Sequence, residues 1–169
     1  MAQQLSGPAI IGALKSSGIE YVLSVPDIVT SDGLLWPISR DPDLKLIRVC
    51  KEDEAVSIAA GMAFADIRAL ILIQHTGFFD SINALRVMGC EYQLPICCMI
   101  GLQGKEPDVA PLASRKSSVR IVEPLLDAIG MEHHLLQEDE HVESVAPSID
   151  AAYETPKPVA FLIGRSPSP

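Results

Sequence analysis

Residues 49–65 read VCKEDEAVSIAAGMAFA. An apolar run closes at Val49, an acidic residue stands at Glu52, and residues 55–65 are mostly small and apolar, the composition of a helix that packs closely on its neighbours. A strand that hands over at once to a helix is the unit of a parallel sheet, because parallel strands need a crossover between them. An acidic residue at such a junction ordinarily caps the helix, since a carboxylate complements the free N–H groups and positive dipole end of the first turn. On chemistry alone, Glu52 reads as a cap.

The same alternation extends outward in both directions. Ser6-Gly7-Pro8 starts a helix carrying Ile10, Ile11 and Leu14, and Gly18 ends it. Residues 21–25 form a short strand that runs into Pro26-Asp27, a weaker helix follows over 31–39, and residues 44–49 are the next strand. Beyond the Ala-rich helix, residues 69–74 make a strand and Gly77 opens another helix. Residues 95–100 are a strand, and 101–118 a polar loop. Ile121, Val122, Leu125, Leu126 and Ile129 then fall at helical spacing, with Pro124 in the first turn and Gly130 at the C-terminal end. A strand over 133–136, a helical stretch over 139–153 bent or restarted at Pro147, and a strand over 158–163 complete the set.

Strands without polar alternation, separated by helices, are buried on both faces. The sequence therefore predicts an α/β fold: a three-layer α/β/α domain over residues 1–165 with a mostly parallel, six-stranded, flavodoxin-like sheet, and a disordered tail at 166–169. In such sheets the working residues sit in loops at the carboxyl ends of strands. Three loops qualify: Pro26-Asp27, Lys51-Glu52 and Gln74-His75-Thr76-Gly77.

Composition narrows the function. The 169 residues carry a net charge of −9, which argues against nucleic acid or an anionic membrane as partner. The apolar runs are too short to span a bilayer. Residues 1–10 show no basic region followed by an apolar core, so no secretion signal is expected. Cys50, Cys90, Cys97 and Cys98 lie in or beside apolar runs with no CxxC pair, and read as buried reduced thiols of a cytoplasmic protein. Cys97 and Cys98, adjacent in one strand, face opposite ways. His133, His134 and His141, beside Glu132, Glu138, Asp139 and Glu140, lack a standard ligand spacing and read as a solvated helix start, so no metal site is assigned.

The run Glu52, Ala55, Ala59, Ala60, Gly61 resembles the pyrimidine-side domain of thiamine diphosphate enzymes, in which an acidic residue begins an Ala-rich helix with a small-small-Gly step. QHTGFFDSINAL, residues 74–85, is similar to the Gln-Asn-Ser-Gly-x-Gly-Asn-x-x-Asn-x-Leu stretch of the sulfopyruvate and phosphonopyruvate decarboxylases, matching it at Gln74, Gly77, Asn83 and Leu85. Ser24-Val25-Pro26-Asp27 is similar to the first-strand loop of the same family. The resemblance implies that Glu52 hydrogen-bonds N1′ of the aminopyrimidine and favours its imino tautomer. It further implies that Pro26, Asp27, Gln74, Thr76, Gly77 and Asn83 surround the cofactor, and that a 2-oxo acid is the substrate. His75, whose loop faces the expected cofactor, is the candidate proton donor or hydrogen-bond partner to the substrate carboxylate. Lys105 and Arg115, in the polar loop, are candidates for holding a sulfonate or phosphonate. Against this, Gln103-Gly104 stands where related decarboxylases have Arg-Gly, which favours a less charged substrate.

The sequence contains no Gly-Asp-Gly motif with a downstream Asn; Asp32-Gly33 follows Ser31 instead. That absence, under the resemblance, implies half of a split enzyme: an alpha-type chain whose beta-type partner carries the Gly-Asp-Gly motif, holds most of the Mg²⁺ and diphosphate contacts, and forms a hetero-oligomer with it. Two other readings share the fold: a non-catalytic assembly or regulatory partner, and a carboligase subunit of the same cofactor class.

Overall fold

The computed structural model describes residues 4–169; residues 1–3 of the expected 1–165 domain lie outside the described residues. The elements run α1 (Gly7–Ser16), β1 (Tyr21–Ser24), a π-helical turn (Ser31–Leu35) merging into α2 (Trp36–Ile38), β2 (Lys45–Arg48), α3 (Glu52–Phe64), β3 (Ala69–Gln74) and α4 (His75–Leu85), which continues as a second π-helical turn (Arg86–Glu91). Then come β4 (Cys97–Gly101), a 3-10 turn (Pro111–Ala113), α5 (Ser117–Arg120), α6 (Val122–Ile129), β5 (Glu132–Leu136), a 3-10 turn (Asp139–Ser144), α7 (Val145–Glu154) and β6 (Val159–Ile163). The six strands form one sheet in the order β2-β1-β3-β4-β6-β5, and every pairing is parallel.

Burial follows that order. β4 and β6 are buried along their whole length and β3 up to Gln74, whereas the edge strands β2 and β5 are largely half-exposed. Alternate residues of each strand feed separate cores. On one face Leu70, Leu72, Cys97, Met99 and Phe161 pack with Ile10 and Leu14 of α1 and Ile149 of α7. On the other, Ile71, Ile73, Cys98, Ile100 and Leu162 meet Ala55, Ala59 and Ala60 of α3, Phe78 of α4 and Leu126 of α6. Adjacent Cys97 and Cys98 thus enter opposite cores. The small α3 residues let it lie close to both sheet and α4. No helix among the described residues is long and apolar enough to cross a membrane.

Four local expectations change. α4 begins at His75, not Gly77, because the chain turns helical directly after β3. The break before α7 falls at Ser144, and Pro147 is accommodated in the first turn, where its missing N–H has no helical partner to lose. Cys50 is exposed and Cys90 half-buried, since the first follows an edge strand and the second lies in a surface turn. The tail at 166–169 is docked rather than disordered: Ser168 N–H donates to Leu5 O and Gly7 N–H donates to Ser168 O, each at 2.8 Å. Gly33 lies so close to the Pro167 carbonyl that a Cβ there would overlap it.

Candidate functional site

The chain leaves β1 for β2 on one side and returns to β3 on the other. The carboxyl ends of β1 and β3 therefore flank the crevice where an open α/β sheet takes its ligand. The β1 loop folds over this edge. Asp27, 2% exposed, accepts at Oδ1 from Val29 N–H (3.1 Å) and Gln74 Nε2 (2.9 Å), and at Oδ2 from the Thr30 hydroxyl (3.2 Å). A buried carboxylate needs such donors. Gln74 is fixed at both ends of its amide, because Thr76 Oγ1 donates to its Oε1 at 3.0 Å. Pro26 and Thr76 are exposed beside this chain of bonds.

Glu52 opens α3 directly after β2, and it is not the cap. Glu54 takes that duty, its Oε2 accepting from the backbone N–H groups of Cys50 (2.9 Å) and Lys51 (3.2 Å). The Glu52 carboxyl, half-buried, receives no hydrogen bond from the described residues. Its side chain lies against the first turn of α4, where a Cβ built at Gly77 would overlap its Cγ, Cδ and Oε1. Only glycine permits that approach. The arrangement leaves a half-buried carboxylate against the Gly77 backbone with no hydrogen-bond donor among the described residues.

His75 sits elsewhere than expected for a proton donor to substrate. It is 3% exposed, its ring edge-on to Phe79, and its Nδ1 lies 3.2 Å from Gly101 O and 3.3 Å from Gln103 N. Burial lowers its pKa below the ordinary imidazole value, against the pull of the Gly101 carbonyl and the Asp27 carboxylate. Its backbone contacts tie the end of β3 to the loop after β4. Asn83 is exposed two turns into α4 and accepts from Arg86 Nη2 at 3.1 Å.

The polar loop splits the two cationic candidates. Lys105 is 8% exposed and donates to the Glu106 and Pro107 carbonyls at 2.9 and 3.3 Å. Arg115 is exposed, and its backbone N–H, at 3.0 Å, serves the Glu106 carboxylate. Of the late cluster, Asp139, Glu140 and His141 form the exposed helix start expected, whereas His133 and His134 lie half-buried in β5. His141 Nδ1 accepts from the Gln137 N–H, and His134 stacks on Phe161 at 5.7 Å. Two further contributors escaped sequence reasoning. Gly101 lets the Asp27 carboxylate approach β4, since a Cβ there would overlap Oδ2; a glycine closing a buried strand is the signal that reveals it. Thr30 has no local signal at all.

Larger hollows open at the amino ends of the strands. One of about 490 Å³ is bordered by Arg68 and Tyr153, but Arg68 is bound to Asp150 and to Ser17 O.

No family model matches the sequence. Among curated proteins, the sulfopyruvate decarboxylase subunit alpha of Methanocaldococcus jannaschii is 34% identical over 119 residues, 70% of this chain and 69% of that one. The protein of the same name from Methanothermobacter thermautotrophicus is 31% identical over 101 residues, 60% of this chain and 61% of that one. A protein of Methanosarcina acetivorans named sulfopyruvate decarboxylase is 28% identical over 159 residues, 91% of this chain but 38% of its own length.

Proposed function

Since the chain belongs to the family of sulfopyruvate decarboxylase alpha subunits, we propose that it is the pyrimidine-binding subunit of a split thiamine diphosphate-dependent 2-oxo acid decarboxylase. The observation that carries this reading is the Glu52 carboxyl laid on Gly77, relieved of capping by Glu54 and without a protein donor of its own. A bare backbone beside an unengaged carboxylate fits the edge of a flat heterocycle, so the residues present suit the aminopyrimidine half of the cofactor.

Thiamine diphosphate supplies the electron sink that a 2-oxo acid needs in order to lose carbon dioxide. Glu52 provides the hydrogen-bonding carboxyl at the pyrimidine ring, and Gly77 sets its position. Asp27 and Thr76 orient the Gln74 amide at the crevice. His75 acts as a positioning residue, holding the β4 loop against α4 through Gly101 and Gln103, rather than as a donor in contact with substrate. Pro26 and Asn83 border the same edge. The diphosphate and Mg²⁺ are assigned to a partner bearing a Gly-Asp-Gly motif, which this sequence lacks.

Two facts support a partner. Two of the relatives above are named as alpha subunits, while the longer relative, of which this chain covers 38%, carries no subunit designation, as a fusion of both halves would. Ile28 and Phe64, each 73% exposed, and Ile58, 36% exposed, leave apolar surface on the β1 loop and α3.

The test is Glu52→Gln in the complex with its partner. Turnover of a 2-oxo acid is expected to fall at least about a thousandfold with the fold intact. Wild-type turnover by the Gln variant would remove Glu52 from the chemistry.

A further inference from the structure

Residues 166–169 read Ser-Pro-Ser-Pro, a composition that lies loose on a surface unless something ties it down. Here Pro167 is buried. Ser168 pairs with Ser6 in a parallel bridge, giving its N–H to Leu5 O and accepting from Gly7 N–H. Its hydroxyl accepts from Gln4 Nε2 at 2.7 Å. Residues 4–6 are anchored in turn by the 3-10 turn after β5. Asp139 N–H donates to Gln4 O at 3.0 Å, and Asp139 Oδ1 accepts from Ser6 N–H at 2.6 Å. The two prolines narrow the conformations open to the segment before it docks, so less entropy is lost on docking.

The docked segment bears on the β1 loop at one point. The three atoms nearest to a Cβ built at Gly33 all belong to Pro167. Gly33 does not have a positive φ, so its own backbone makes no demand for glycine; the approach of Pro167 does. Gly33 is buried inside the π-helical turn, whose Leu34 and Leu35 N–H groups both donate to Thr30 O, at 2.9 and 3.0 Å. Such turns are rare and tend to stand beside working residues. Thr30 gives its hydroxyl to Asp27 Oδ2, Ser31 gives its own to the Asp27 carbonyl, and Asp27 Oδ1 holds Gln74 Nε2. An unbroken path of contacts runs from Pro167 to the Gln74 amide.

We propose that Pro167 and Ser168 are positioning residues: they strap the π-helical turn in place and so fix Asp27 and, through it, the Gln74 amide at the crevice. The effect on turnover rests on the decarboxylase reading above, whereas the strap itself does not. Without these residues the Gly33 face of the turn loses its cover, and the turn is free to shift together with the Asp27 carboxylate it carries. A small displacement is enough to matter, since a misplacement of about 1 Å remote from the chemistry can cost about a hundredfold in rate.

The experiment compares amide hydrogen exchange in the wild-type chain and in a variant that stops after Ser166. Loss of residues 167–169 is expected to speed exchange at Val29, Leu34 and Leu35 at least about tenfold, and to leave Met99 and Ile100 of β4 unchanged. In the complex with the partner, kcat/KM for the 2-oxo acid should fall about tenfold. Gly33→Ala should have the same two effects in the full chain and add nothing in the shortened one, where no Pro167 remains to overlap. Exchange that rises equally in β4, or that keeps its wild-type rate in the β1 loop, would overturn the strap. So would a Gly33→Ala effect of equal size in both backgrounds. Localised exchange alongside a wild-type complex that does not decarboxylate upholds the strap and removes the decarboxylase reading. A wild-type complex that turns over, with kcat/KM unmoved by the deletion, removes the positioning role and leaves that reading standing.

Discussion

Two glutamates two positions apart divide the work at the start of α3, and the division is set by direction rather than by type. Glu54 points back to the Cys50 and Lys51 N–H groups, while Glu52 points across to Gly77. Gly77→Ala is expected to cost about 1–3 kcal/mol through overlap with the Glu52 side chain. Displacement of that carboxyl should also lower turnover of the complex about a hundredfold. Urea unfolding and steady-state rates measure the two effects, and a variant as stable and active as wild type would show that the carboxyl is not seated there. His75 makes a second residue-scale prediction. Its imidazole titrates near 6.5 in the unfolded chain and lower in the folded one. Between those values the unfolded chain holds more protons, so its contribution is full above about 6.5 and is lost as pH falls through the folded value. The stability difference between wild type and His75→Gln should therefore shrink between about pH 7.5 and pH 5. A constant difference across that range would contradict a buried neutral ring.

At the scale of elements, helix starts position the site. α3 begins with a carboxylate accepting from backbone groups before its first turn, and α4 begins without a side-chain cap, its first residue being the buried His75. Glu54→Ala should cost about 1 kcal/mol of stability yet leave turnover of the complex unchanged, the reverse of Glu52→Gln. Chemical denaturation and activity assays separate the pair, and an inactive Glu54 variant would undo the assignment of roles. Sequence patterns located both helices, α3 from the Ala-rich run after Glu52 and α4 from Gly77 following an apolar strand, with Ile82, Leu85 and Met88 as a loose apolar stripe. They did not reveal which glutamate caps, since two acids in one first turn look alike until their side chains take a direction.

For the whole molecule, the sheet gathers loops from residues 26–30, 52 and 74–77 on one edge, and leaves Ile28 and Phe64 uncovered. Under the proposed reading the chain contributes the pyrimidine side of the cofactor site, and its sequence has no Gly-Asp-Gly motif. It is expected to bind thiamine diphosphate no tighter than about millimolar alone, and to bind it with Mg²⁺ once a Gly-Asp-Gly partner is added. Calorimetry on the chain with and without the partner checks this. Micromolar, Mg²⁺-dependent binding by the chain alone would contradict the division of labour between subunits.

The sequence by itself determined the order of strands and helices, the parallel sheet and the three loops at its carboxyl edge. Those follow from local periodicity, from runs apolar on both faces, and from turn residues such as Pro26-Asp27. Contacts between residues far apart along the chain were decided only by the tertiary structure. The burial of His75 beneath Gly101, the seating of Glu52 on Gly77, the approach of Arg165 to Lys105 and the docking of Ser168 beside Leu5 each join separate segments. Side-chain direction and distance across a sheet edge depend on how strands are ordered and helices are packed, and no local pattern in the chain records either.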